Sequence, residues 1–88
     1  MLKFHKTEGF SMTNGHIVYK YDRRSDVMHV FFVDKYKDAE SNWYVADEVA
    51  DNINEVRDER NEDLVGFVIL DYRRNKPELV KRYPEYFF

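Results

Sequence analysis

Carboxylates are the most numerous side chains here that could do chemistry, 17 in 88 residues. Asp22 and Asp26 stand at the spacing of a carboxylate pair, and general acid–base work would require a pocket that drives their pKa values apart. The stretch Asp22-Arg23-Arg24-Ser25-Asp26 is instead turn chemistry, in which Asp and Ser bond nearby backbone, and a turn tip offers water in place of a pocket. Asp47, Asp51 and Glu55 recur at i, i+4 and i+8 and would line one face of a helix as a strip for a divalent cation. They lack the ligand pattern of an EF-hand loop, so a solvated face is the stronger reading. His5, His16 and His29 show no H-E-x-x-H or H-x-x-x-H spacing on which a zinc site would rest. Ser11, Ser25 and Ser41 lie in polar, loop-like sequence without a nucleophile elbow, and Gly9, Gly15 and Gly66 form no phosphate-cradling loop. No catalytic, cofactor-binding or metal-ligating residue is therefore assigned, and an enzyme is the least favoured class.

The chain that must position these groups is short. Its length allows one domain, residues 1–88, with a small core. Seven Phe, seven Tyr and one Trp supply most of the large apolar surface, so aromatic packing is expected to dominate the core or an interface. With no Cys there is no disulfide scaffold, zinc ribbon or thiol chemistry. No apolar run is long enough to span a membrane, and Met1 to Lys6 lack the apolar stretch of a signal peptide. These features lead us to expect a soluble, cytoplasmic domain.

Charge is unevenly placed. Residues 47–63 carry eight acidic side chains against Arg57 and Arg60, a local charge of −6, whereas residues 71–85 carry a local charge of +2. An acidic block of this kind suits a basic protein partner better than nucleic acid, whose affinity rests on neutralised phosphates. A solvated face is the simpler reading of the same charges.

Residues 1–14 are weakly patterned and read as an arm or a first strand. Ile17, Tyr19 and Tyr21 then alternate with Val18, Lys20 and Asp22, and Val27 to Val33 is β-branched and aromatic, so the two form a hairpin. A six-residue loop pairs Tyr21 with Met28, Tyr19 with Val30 and Ile17 with Phe32. That register gathers six large apolar side chains on one face, which a one-residue slip would scramble. Residues 34–42 are polar and read as a loop. Val45, Val49, Ile53 and Val56 make a helical stripe over 45–59, although Asn52 and Asn54 are poor helix-interior residues. Arg60 to Asp63 reads as a turn, and Leu64 to Leu70 as a central, doubly covered strand in which Gly66 marks a bulge or a close backbone approach. Asn75 as N-cap and Pro77 in the first turn place a helix at 75–83, ended by Pro84. Tyr86, Phe87 and Phe88 form an aromatic tail at 84–88 that must pack on the sheet or on a partner.

Two of these strings match a known pattern. YDRRSDVMHVFF at Tyr21 to Phe32 is similar to the hairpin of the uncharacterised family called domain of unknown function 2283. ADEVADNINEVRDERNEDLVGFVIL at Ala46 to Leu70 resembles that family's second half. The resemblance covers about residues 16–72, with Tyr21, Asp22, Asp26, Val27, Val65, Gly66, Phe67, Ile69 and Leu70 at motif positions. It implies an antiparallel sheet and makes 52–58 a strand, against the helical stripe. The turn before Leu64 departs from the pattern by carrying Glu62 and Asp63 where the family has a glycine, and Trp43 and Tyr44 are additional. The resemblance brings no catalytic residues; members of the family look like antitoxin-sized partners of small toxins.

The expectation is an α+β domain. Its four- to five-stranded antiparallel sheet, spanning 15–72, is built on hairpins 16–33 and 52–70, with the C-terminal helix packed on one face. The expected function is non-enzymatic protein interaction, as a homodimer or as an antitoxin-like partner of a small basic protein, without a cofactor. Trp43, Tyr44, Tyr86, Phe87 and Phe88 are the expected partner-binding residues, because aromatics carry much of the energy of interfaces. The alternative is weak RNA binding, with bases stacked on Tyr36 or Phe31 and phosphates on Arg73, Arg74, Lys81 and Arg82.

Overall fold

A computed structural model describes residues 9–35 and 43–88. The order of the described elements is β1 (Gly9–Asn14), β2 (Ile17–Asp22), β3 (Val27–Phe32), β4 (Tyr44–Ala50), β5 (Ile53–Asp58), β6 (Leu64–Ile69) and the helix α1 (Tyr72–Arg82). The strands form one antiparallel sheet in the order β1-β2-β3-β6-β5-β4. Two three-stranded meanders thus meet at β3 and β6, and β1 and β4 are left at the edges. The α+β class, the antiparallel sheet and the C-terminal helix are as expected. The sheet has six strands, not four or five, because β1 and β4 each pair as strands of their own.

The β2–β3 hairpin has the expected register, with Ile17 opposite Phe32, Tyr19 opposite Val30 and Tyr21 opposite Met28. Those six side chains lie with Ile53, Phe67 and Ile69 on the face that α1 covers through Leu79. Each large apolar side chain buried there contributes about 1.5–3 kcal/mol. The opposite face, on which Val18, His29, Phe31, Val56 and Val68 fall by alternation, is half-buried. β6 is central, as its apolar run predicts, and Gly66 has both expected roles. A Cβ at this position would collide with the carbonyl oxygen of Val30 on β3. A register shift next to Gly66 also leaves Val65 as the extra residue of a bulge against β5.

Residues 45–59 are not a helix. β4 and β5 form a hairpin closed at Asp51 and Asn52, where Asn52 adopts φ 67°, a left-handed conformation Asn tolerates. Pairing with β6 satisfies the backbone of β5 along its length, and this outweighs the weak helical pattern. The helix also starts earlier than 75. Asn75 is not its N-cap but lies inside it, the Nδ2 group donating to the carbonyls of Leu70 at 3.0 Å and Asp71 at 3.3 Å. Asp71 holds the N-cap position at φ 50° and makes no capping bond of its own. The cap comes from the β2–β3 turn, where the Asp26 carbonyl accepts from the Tyr72 amide at 3.0 Å and its carboxylate from the Arg73 amide at 3.3 Å. Pro77 consequently sits within the helix, not in its first turn. The helix ends at Arg82, two residues before Pro84. The expected loop at 34–42 falls largely on residues 36–42, outside the described residues, as do residues 1–8 of the N-terminal arm.

Candidate functional site

The five expected partner-binding residues divide into two groups. Trp43 and Tyr44 stand at the head of β4, at one edge of the sheet. Tyr86, Phe87 and Phe88 follow α1. Phe87 is a core residue, only 2% exposed, with its ring 5.4 Å from Phe67. Tyr86 lies half-buried against Phe32 and Phe67, at 5.0 and 5.7 Å, and its carbonyl accepts the Tyr19 hydroxyl at 2.6 Å. Only Phe88 of the three stands in solvent, 69% exposed. The tail therefore completes the monomer core, and Phe87 has no surface to offer a partner.

Trp43 is 48% exposed and held in place. Its carbonyl accepts the Glu59 amide at 2.7 Å, and the Arg60 guanidinium sits 5.5 Å from its ring centroid, a cation–π contact. Arg60 is fixed in turn by Asp58, whose Oδ1 accepts from Nε at 3.0 Å and from the Arg60 amide at 2.9 Å, while Oδ2 accepts from Nη2 at 2.7 Å. Asp58 is the buried charged residue of the described part of the chain. The Arg60 bonds hold its carboxyl below the usual range despite desolvation. The turn that carries Arg60 closes with Glu62 at φ 66°. Tyr44 is half-buried, its hydroxyl directed to the Lys35 carbonyl at 3.5 Å. An open hollow of about 290 Å³ lies beside it, lined by Asp34, Lys35, Tyr44, Asp58, Arg60 and Asp63. Four of its charges are paired, Asp58 with Arg60 and Lys35 with Asp63, and Asp34 lies 3.4 Å from His16 Nδ1. Sequence reasoning singled out Trp43 but missed Arg60. The available signal was the i, i+2 spacing of Asp58 and Arg60 just after a strand.

β4 runs from this tryptophan along the edge, and its residues 45–49 are exposed. Asp47 and Glu48 sit mid-strand and Asp51 in the turn that follows. The three acidic residues once expected along a helix face are thus dispersed over a hairpin: Asp47 and Glu55 oppose each other across strands and Asp51 stands at the turn. Among the described residues no cluster suits a metal ion.

The perturbed carboxylates elsewhere are structural. Asp22 accepts the amides of Arg24 and Ser25 at 3.0 and 3.4 Å, and hydrogen bonding with Ser25, ahead of the amide bonds, lowers its pKa. The Tyr21 hydroxyl donates to Asp26 at 2.7 Å; this bond, outweighing desolvation and joined by Arg73, lowers Asp26 as well. A catalytic pair would have one member raised, whereas both are lowered. Glu55 accepts from the Tyr83 hydroxyl at 2.6 Å and from Arg57 at 2.7 Å. Burial pushes Glu55 up, but these two partners overcome it and its pKa falls below the usual value. Burial and the same bond push the Tyr83 hydroxyl up to about 12.

Among the described residues, Phe31 and the basic residues named for RNA binding do not share a surface. Phe31 falls on the sheet face away from α1, whereas Arg73, Arg74, Lys81 and Arg82 belong to α1, which packs on the other face. Tyr36 lies outside the described residues. No helix among the described residues is long and apolar enough to cross a membrane.

No family model matches this chain, and comparisons with curated proteins and with solved structures returned no match.

Proposed function

We propose that this protein is a cytoplasmic, non-enzymatic protein-interaction module whose binding surface is the β4 edge, with Trp43 as its anchor. The observation that supports this most strongly is the state of Trp43. A large apolar ring is half in solvent yet held by Arg60, at the head of an edge strand exposed over 45–49. An aromatic group ordered before binding loses little freedom on association, the property that makes such residues effective anchors. The acidic charges along the strand favour a basic partner. The resemblance to a family of antitoxin-sized proteins is in keeping with that choice. The RNA reading receives no comparable support, since Phe31 and the basic residues of α1 lie on opposite sides of the sheet.

The test is capture of the tagged full chain from its host, followed by native mass spectrometry. The unchanged protein should carry a stoichiometric second polypeptide. Trp43→Ala should lose it while keeping the circular-dichroism spectrum of the unchanged protein. A bare monomer, or a Trp43→Ala variant that unfolds, would sink the reading.

A further inference from the structure

Among the described residues, β4 is paired on one side, by β5. The bond from the Glu59 amide to the Trp43 carbonyl identifies Trp43 and Glu59 as a hydrogen-bonded pair of the β4–β5 ladder. Bonded and non-bonded pairs alternate in an antiparallel ladder. With Tyr44 opposite Asp58, Val45 opposite Arg57, Ala46 opposite Val56 and Asp47 opposite Glu55, the amides and carbonyls of Val45 and Asp47 turn toward β5. Those of Ala46 and Glu48 turn outward, and among the described residues no strand lies beyond β4. The register shift between Glu48 and Ala50 ends this regular stretch with a bulge at Val49.

An open edge of this kind is a template for another strand, and its charges decide which one. A second copy paired about Asp47 would set Asp47 against Asp47. Asp47 already opposes Glu55 across the β4–β5 ladder, and a further like charge beside it is destabilising, so that register of self-pairing is disfavoured. A strand bearing Lys or Arg at alternate positions meets Asp47 on one face or Glu48 on the other and gains where a copy loses.

We propose that β4 receives a basic, extended segment of a partner protein, which adds to the sheet as a seventh strand bonded to the outward groups of Ala46 and Glu48. This rests on the interaction reading above and supplies its mode and the chemistry of its partner.

The experiment titrates the isotope-labelled full chain with two seven-residue peptides, one alternating Val and Lys, the other alternating Val and Glu. The Val-Lys peptide should shift the amide resonances of Ala46 and Glu48 most and slow their exchange with solvent; the Val-Glu peptide should do neither. Ala46→Pro removes an outward N–H, a substitution that edge strands tolerate, and should weaken Val-Lys binding about tenfold or more. Asp47→Lys reverses one charge without touching the backbone and should move the preference toward the Val-Glu peptide. Absence of shifts with the Val-Lys peptide, binding undiminished in Ala46→Pro, or shifts confined to the open face around Val18 and Val68 would each overturn strand addition. The interaction reading would still stand on its own test, the Trp43-dependent capture.

Discussion

The two aromatic clusters of this chain are alike in composition and opposite in fate. Tyr86 and Phe87 fold back over Phe67, beside the rings of Phe32 and Tyr83, and become part of the core. Trp43 stands at the edge of the sheet with the Arg60 guanidinium against its ring, and it stays half in solvent. Aromatic character marks both as places where energy is concentrated. What lies underneath decides whether that energy is used for folding or remains for association.

The largest effect that would break this comparison is at Phe87. Phe87→Ala opens the aromatic cluster around Phe67 and should cost about 3–5 kcal/mol, read from urea unfolding. A cost below about 1 kcal/mol would show that the tail is not core after all.

The next effect is on the same side. Tyr83→Phe removes one donor from Glu55, which keeps Arg57, and should cost about 1.5 kcal/mol, the low end for a bond to a charged group. The same bond has a pH signature of known sign. The Tyr83 pKa is raised from an ordinary 10.0 to about 12, so its contribution is complete below pH 10 and is lost as pH rises toward about 12. Glu55 is lowered, so its contribution is present above the ordinary carboxylate range and is lost as pH falls through its depressed value. Thermal melts across alkaline pH should show the first loss in the unchanged protein and a reduced one in Tyr83→Phe.

The smallest effects belong to the edge. Trp43→Ala forfeits the contact with Arg60, worth about 0.5–1 kcal/mol, and should cost less than Phe87→Ala in a chemical denaturation curve. A cost comparable to that of Phe87→Ala would make Trp43 core and erase the contrast. Glu62→Gly relieves a left-handed residue in the turn that carries Arg60 and should raise stability by about 0.5–1 kcal/mol, seen as a higher melting temperature with partner binding unchanged.

Much of the β2–β3 hairpin was legible because its information is local. Alternation in Ile17 to Tyr21 and Met28 to Phe32 admits one register that gathers the apolar side chains, and the structure has it. Asp22 was legible as turn chemistry for the same reason. Asp26 was only half legible: its place in the turn follows from the sequence, but its bonds to the Tyr72 and Arg73 amides join residues more than 40 positions apart. Of the site, the identity of Trp43 could be read and its setting could not. Arg60 reaches it only once the 59–63 turn has closed, and β4 becomes an edge only through the order of strands around it.

The sequence by itself determined the hairpin and its register, the central place of β6, the close approach at Gly66 and the stop before Pro84. Each follows from side-chain alternation, a missing Cβ or a missing amide, properties of a residue and its near neighbours. Tertiary structure alone decided that 44–50 pairs as a strand of its own, that α1 starts at Tyr72, and that Phe87 is buried while Trp43 is not. Those outcomes depend on which distant backbone and side-chain groups come into contact, and burial and hydrogen bonding at such contacts outweigh the small local preferences that oppose them.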